Sequence, residues 1–131
     1  MNLIRAVSLF FLLSFGLNAQ ADFKDWEKTD KILFGTYVGL NVVDVGQTFD
    51  LINCQQINPD CPYEEKNPIL GKYPSRHKVI LYKTIATGVV YYALDKSPPR
   101  DRRTGLLVIN GIMLGLVISN HKLGLSFTMR F

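Results

Sequence analysis

Three long apolar segments dominate the chain: KILFGTYVGLNVVDVGQTFDLI (31–52), KVILYKTIATGVVYYAL (78–94) and TGLLVINGIMLGLVIS (104–119). They lack the sustained alternation of half-buried strands, and helix starts or breakers bound them, so the pattern predicts three helices. Ser75, after Pro74, and Asp101, after Pro98-Pro99, are the expected N-caps of the second and third. The first follows the charged stretch DFKDWEKTD (22–30) and runs to Cys54. The fold class expected is all-α, a three-helix membrane-associated bundle with a short extended C-terminal tail.

The N-terminus predicts export. Met1 to Arg5 carries one positive charge, Ala6 to Gly16 is apolar, and Ala19-Gln20-Ala21 is a small-x-small cleavage pattern, so residues 1–21 form a signal peptide and 22–131 a single helical domain. Processing before Asp22 removes Arg5 and no acid, leaving 14 basic against 11 acidic side chains. That excess is spread along the chain with no basic stripe, which argues against nucleic acid as a partner. Cys54 and Cys61 lie in one polar loop, and in an exported protein such a pair is expected to form a disulfide. Six intervening residues and no adjacent histidine make a poor metal half-site, so neither metal nor cofactor is expected. The tail LGLSFTMRF (123–131) alternates large and small residues and resembles the closing strand of an outer-membrane barrel. The continuous apolar runs before it do not sustain that architecture.

Glycine is costly in a soluble helix, about 1 kcal/mol per residue. Gly35-x-x-x-Gly39 and Gly111-x-x-x-Gly115 are therefore expected at close helix crossings in lipid. The loop DKSPPRDRR (95–103) is basic and should face the cytoplasm, whereas the cysteine loop should face the oxidising side. With Asp22 outside, the first helix would begin and end on one side, as a surface-lying or re-entrant element carrying Asn41, Asp44, Gln47 and Asp50. Helix arithmetic from Cys54, Ser75 and Asp101 puts Asp44, Lys83 and Asn110 at similar depths, so these three are expected to form a buried polar cluster.

Between the first two segments lies CPYEEKNPILGKYPS (61–75). Pro68 keeps Asn67 extended, Gly71 permits a positive φ, and Pro74 blocks helix until Ser75 opens the next one, so Glu65, Asn67, Pro68, Gly71, Pro74 and Ser75 form a structural loop with Ile69 and Leu70 folded back as an apolar plug. Asp44 with Gln47-Thr48, then Glu65-x-Asn67-Pro68-Ile69-Leu70-Gly71-x-x-Pro74-Ser75, then Asn120-x-x-Leu123-Gly124, resembles an uncharacterised family of small envelope proteins of bacteria, prophages and phages. The resemblance spans about residues 40–127 and implies a helical fold and an envelope location.

Catalytic patterns are fragmentary. Pro74-Ser75-Arg76-His77 resembles one element of acid-phosphatase-type membrane phosphatases, without the other two. Gly124-Leu125-Ser126-Phe127-Thr128 lacks the last glycine of a nucleophile elbow. The expected function is a non-enzymatic exported protein of the inner membrane facing the periplasm, with the membrane and another envelope protein or a second copy as partners. An envelope hydrolase using Asp44 and the Glu65 loop is the alternative, and a phage-derived lysis or superinfection-exclusion accessory is a biological role compatible with the first.

Overall fold

The computed structural model describes residues 22–125, so the leader 1–21 and the tail from 126 onward lie outside the described residues. A 3-10 turn, Phe23–Asp25, precedes three helices: α1 (Lys28–Ile57), α2 (Arg76–Asp95) and α3 (Pro99–Lys122). No strand occurs among the described residues.

Local chemistry sets the helix ends. Ser75 caps α2, its Oγ accepting from the Lys78 N–H at 3.3 Å. At α3 the expected cap moves: Pro98 is the N-cap and Pro99 occupies the first helical position, where its missing N–H costs nothing. Asp101 instead sits in the first turn of that helix, and His121 and Lys122 in the last, each favoured there by the helix dipole. Gly124, at φ +92°, ends α3 in the left-handed region, with its N–H on the His121 carbonyl and the Leu125 N–H on that of Asn120.

The order of contacts fixes the topology. At one end of the bundle Trp26 meets Asp95, and Arg103 meets Glu27 and Asp30; at the other Arg76 meets Asn53, and Asn120 meets Asp44. Hence α2 runs antiparallel to α1, and α3 runs parallel to it and packs chiefly on it. This corrects the expectation for the first helix. At 30 residues α1 is about 45 Å long and traverses the bundle from one end to the other. It is one continuous helix and not a re-entrant one, and Asn41, Asp44, Gln47 and Thr48 are buried along its middle.

Two apolar cores occupy the ends. Phe49, Leu51, Ile52, Leu70, Val79 and Leu125 gather beside the cysteine loop. Trp26, Leu94 and Leu106 gather at the opposite end, flanked by Phe23, Phe34 and Tyr91. Trp26 is the centre of the second core, only 3% exposed. Its indole N–H donates to Asp95 Oδ1 at 3.0 Å, and the Arg102 guanidinium lies 4.7 Å from its ring centroid. Arg102 is itself buried and donates to the carbonyls of Leu94 and Ser97 at 3.0 and 3.1 Å. The short segment ahead of α1, expected only as a polar lead-in, therefore locks that helix to the α2–α3 turn.

The glycine expectation also changes. A Cβ added at Gly35, Gly39, Gly111 or Gly115 would meet nothing within 4 Å, so none of the four supports a close crossing inside the bundle. The α1–α3 contact is built instead by side chains such as Leu106 and Met113. Among the described residues, α3 is the one helix long and apolar enough to cross a membrane, and only 11% of its apolar stretch is buried in the bundle.

Replacing Trp26 by Ala should cost about 3–5 kcal/mol in unfolding experiments on detergent-solubilised protein, since it removes a large buried ring. Trp26→Phe should cost less, keeping the ring and losing one hydrogen bond worth about 1 kcal/mol.

Candidate functional site

The polar residues of α1 converge on one point. Asp44 Oδ2 lies 2.6 Å from Lys83 Nζ of α2, and Asp44 Oδ1 accepts from Asn120 Nδ2 of α3 at 3.1 Å. The same Asn120 amide donates to Gln47 Oε1 at 3.2 Å, and Gln47 Nε2 donates to the Val117 carbonyl at 3.0 Å. Thr48 turns its hydroxyl back to the Asp44 carbonyl at 2.9 Å. Asp44 is 8% exposed, so its charge is removed from water and compensated by an ammonium on one oxygen and an amide on the other. All three helices contribute.

Asn110 does not join this cluster. Its Nδ2 donates to the carbonyls of Leu33 and Leu106, at 2.9 and 2.8 Å, in the other half of the α1–α3 contact. The reason is stagger. Because α3 begins at Pro99 beside the Trp26 lock and runs parallel to α1, Asn110 arrives opposite Leu33, and about 15 Å more of helix is needed to reach Asp44. Asn120, ten residues further on, supplies that length. A signal for it was present, since Asp44, Gln47 and Asn120 all belong to the sequence pattern quoted above.

The loop between α1 and α2 forms a roof. Asn67 organises it: its N–H donates to Glu65 Oε1 at 2.8 Å, its Oδ1 accepts from the Ile69 N–H at 3.0 Å, and its carbonyl accepts from Leu70 and Gly71. Pro68 sits inside this turn and Gly71 closes it at φ +79°. Leu70 is buried and Ile69 is exposed, so one residue of the expected apolar plug folds inward. Lys78 Nζ donates to the Leu70 carbonyl at 2.7 Å, and Pro74 is buried just before the Ser75 cap.

Two fastenings hold the roof on α1. Cys54 and Cys61 are bonded, with Cα atoms 5.8 Å apart. Gln55, for which no local pattern signals a role, donates to the carbonyls of Tyr63 and Lys72 at 3.0 and 3.2 Å. Glu64 pairs with Lys72 at 2.7 Å, and this hydrogen bond, followed by the attraction of the two charges, raises the Lys72 pKa.

Roof and helices enclose a cavity of about 500 Å³. Asp44, Lys83, Ser119 and Asn120 give it polar lining, Leu51, Leu70, Leu116 and Leu123 give it apolar walls, and Glu64, Glu65 and Lys66 stand along the loop. A second, largely apolar groove of about 410 Å³ lies between α1 and α2, along Val38, Val42, Val45 and Ile80, and Lys83 lines both spaces. No group of three or more His, Cys, Asp or Glu residues that could hold a metal ion occurs among the described residues. No protein family, curated protein or solved structure matches the chain.

Breaking the pair from one side should be severe. Lys83→Met leaves Asp44 buried without its counter-charge and should destabilise the protein by about 3–5 kcal/mol. Adding Asp44→Leu should recover much of that loss, giving a coupling energy of at least about 1 kcal/mol in a double-mutant cycle of unfolding free energies, whereas Asn110→Leu should combine additively with either change.

Proposed function

We propose that the protein is a non-enzymatic, membrane-embedded component of the bacterial envelope that acts through contacts with lipid and with another protein or a second copy. The observation that carries this reading is an inverted distribution of side chains. Within the central part of the bundle the exposed positions include Ile80, Leu81, Ile85, Leu107, Val108, Ile112 and Leu114, while Asn41, Asp44, Gln47 and Thr48 are buried. Water rewards the opposite arrangement, and hydrocarbon rewards this one.

Of the three helices α3 alone is long and apolar enough to span by itself, and α1 and α2 would cross beside it with their polar side chains turned inward. Residues 32–49, 79–94 and 104–120 contain two charged side chains between them, Asp44 and Lys83, and those two are paired with each other. These stretches span about 27, 24 and 26 Å, close to the hydrocarbon thickness of about 30 Å. Tyr63 and Tyr73 lie beyond the belt at the cysteine-loop end, where interfacial aromatic residues are favoured. The hydrolase alternative is weaker, because Asp44 holds an ammonium and an amide and Glu65 holds a backbone N–H.

Three crossings place Asp22 and the Cys54–Cys61 loop on opposite faces. The Asp22 end carries seven basic residues (Lys24, Lys28, Lys31, Lys96, Arg100, Arg102, Arg103) against five at the described cysteine end (Lys66, Lys72, Arg76, Lys78, Lys122). Both that asymmetry and the disulfide favour an inner-membrane orientation with the cysteine loop in the periplasm. Such a chain keeps Asp22 in the cytoplasm, so in this orientation the expected processing before Asp22 does not occur.

The test combines intact mass with thiol trapping in living cells before lysis. A chain that retains residues 1–21 and carries the disulfide is the expected result. A chain that starts at Asp22 with both thiols reduced would reverse the orientation. A chain that starts at Asp22 and carries the disulfide would have both ends outside, and the three-crossing reading would fall.

A further inference from the structure

We propose that the 500 Å³ cavity binds the head group of a zwitterionic phospholipid of the phosphoethanolamine type, with the acyl chains leaving over the α3 wall. This rests on the membrane-embedded reading above. The cavity volume lies within the range of about 300–1,000 Å³ typical of small-molecule sites. Its floor is built to stay polar, since Asp44 is buried and fixed by Lys83 and Asn120.

The charge balance selects the head group. Two cations, Lys66 and Lys83, and three anions, Asp44, Glu64 and Glu65, line the space. Glu64 is neutralised by Lys72, leaving two of each sign. A purely anionic ligand gains nothing from such a lining, whereas a phosphate and an ammonium on one ligand can each find a partner. Lys66 and Glu65 are adjacent in the loop and offer both signs at its edge, Glu65 with a second carboxylate oxygen beside the one that accepts from the Asn67 N–H, and Lys83, which lines the cavity, has two N–H groups beyond the one on Asp44.

The apolar walls point to a lipid in preference to a free phosphoethanolamine. Leu116 of α3 and Leu123 at its C-cap line the cavity and are 47% and 51% exposed, so the apolar wall at this end of α3 is open to whatever occupies or surrounds the site. An acyl chain crossing that wall stays in apolar contact throughout, so the head group can enter the site without any methylene being exposed to water.

The experiment uses the full chain in vesicles of equal phosphatidylethanolamine and phosphatidylglycerol, extracted gently and examined by native mass spectrometry for retained lipid. Phosphatidylethanolamine should be enriched about tenfold over its partner, a difference equivalent to one decade in affinity. Leu116→Trp, which fills the cavity, and Lys66→Glu, which inverts one edge charge without touching the buried pair, should each abolish the enrichment. Leu107→Trp, on α3 but outside the cavity, should retain it. Equal retention of both lipids by the unmodified protein would overturn the inference, as would unchanged enrichment in the Leu116→Trp and Lys66→Glu variants. Full displacement by free phosphoethanolamine would reassign the site to a soluble ligand. Vesicle flotation in parallel separates the two levels: protein that does not float defeats the membrane reading, while floating protein without lipid preference defeats this inference alone.

Discussion

The bundle depends on the Asp44–Lys83 ion pair. The connection between α1 and α2 covers residues 58–75, far too long to set how the two helices slide against each other. A 2.6 Å contact between the buried Asp44 carboxylate and the partly buried Lys83 ammonium does set it, because a shift by a turn would leave Asp44 without its counter-charge. Asn120 extends the constraint to α3 by bonding both Asp44 and Gln47. One carboxylate thus ties the three helices together at this level, while the stagger of α3 is set at the other end by Trp26, Asp95 and Arg102.

Those two ends are built for different purposes. At the Trp26 end, stacked rings and the buried Arg102 leave little room, and the backbone turns in three residues from α2 to α3. The other end is made of turns that need special backbone, with Gly71 and Gly124 at positive φ, and it holds open space above a polar floor. A closed end that resists sliding and an open end that presents a cavity suit a protein whose contacts are made at one membrane face.

Sequence periodicity and end signals were enough for the three helices, because long apolar runs between prolines and polar loops have few other solutions. The positive φ at Gly71 and the cap at Ser75 were equally readable, since each follows from local chemistry. Depth counted from Cys54 and Ser75 relates Asp44 to Lys83, two residues on helices whose facing ends meet at the loop. It fails for Asn110, because the stagger of α3 is set by Trp26, Asp95 and Arg102, a contact across some seventy residues that no local pattern encodes. The GxxxG motifs misled for a related reason: small residues permit close approach, and whether a neighbour is present is a tertiary fact.

Lys96, Ser97 and Pro98 are all the chain that separates α2 from α3, and Arg102 closes that link on the carbonyls of Leu94 and Ser97. On the membrane-embedded reading proposed above, helices joined so tightly would enter a bilayer as one hairpin, with the arginine at their turn already satisfied. The first helix has no such companion while the chain is being made. Thirty-nine residues separate Asp44 from Lys83, so at roughly 5–20 residues per second the carboxylate waits about two to eight seconds for its partner to be synthesised. On the same reading, α1 would have to be held through that interval where water can shelter Asp44, and its release into lipid would be timed by the arrival of the hairpin that carries Lys83.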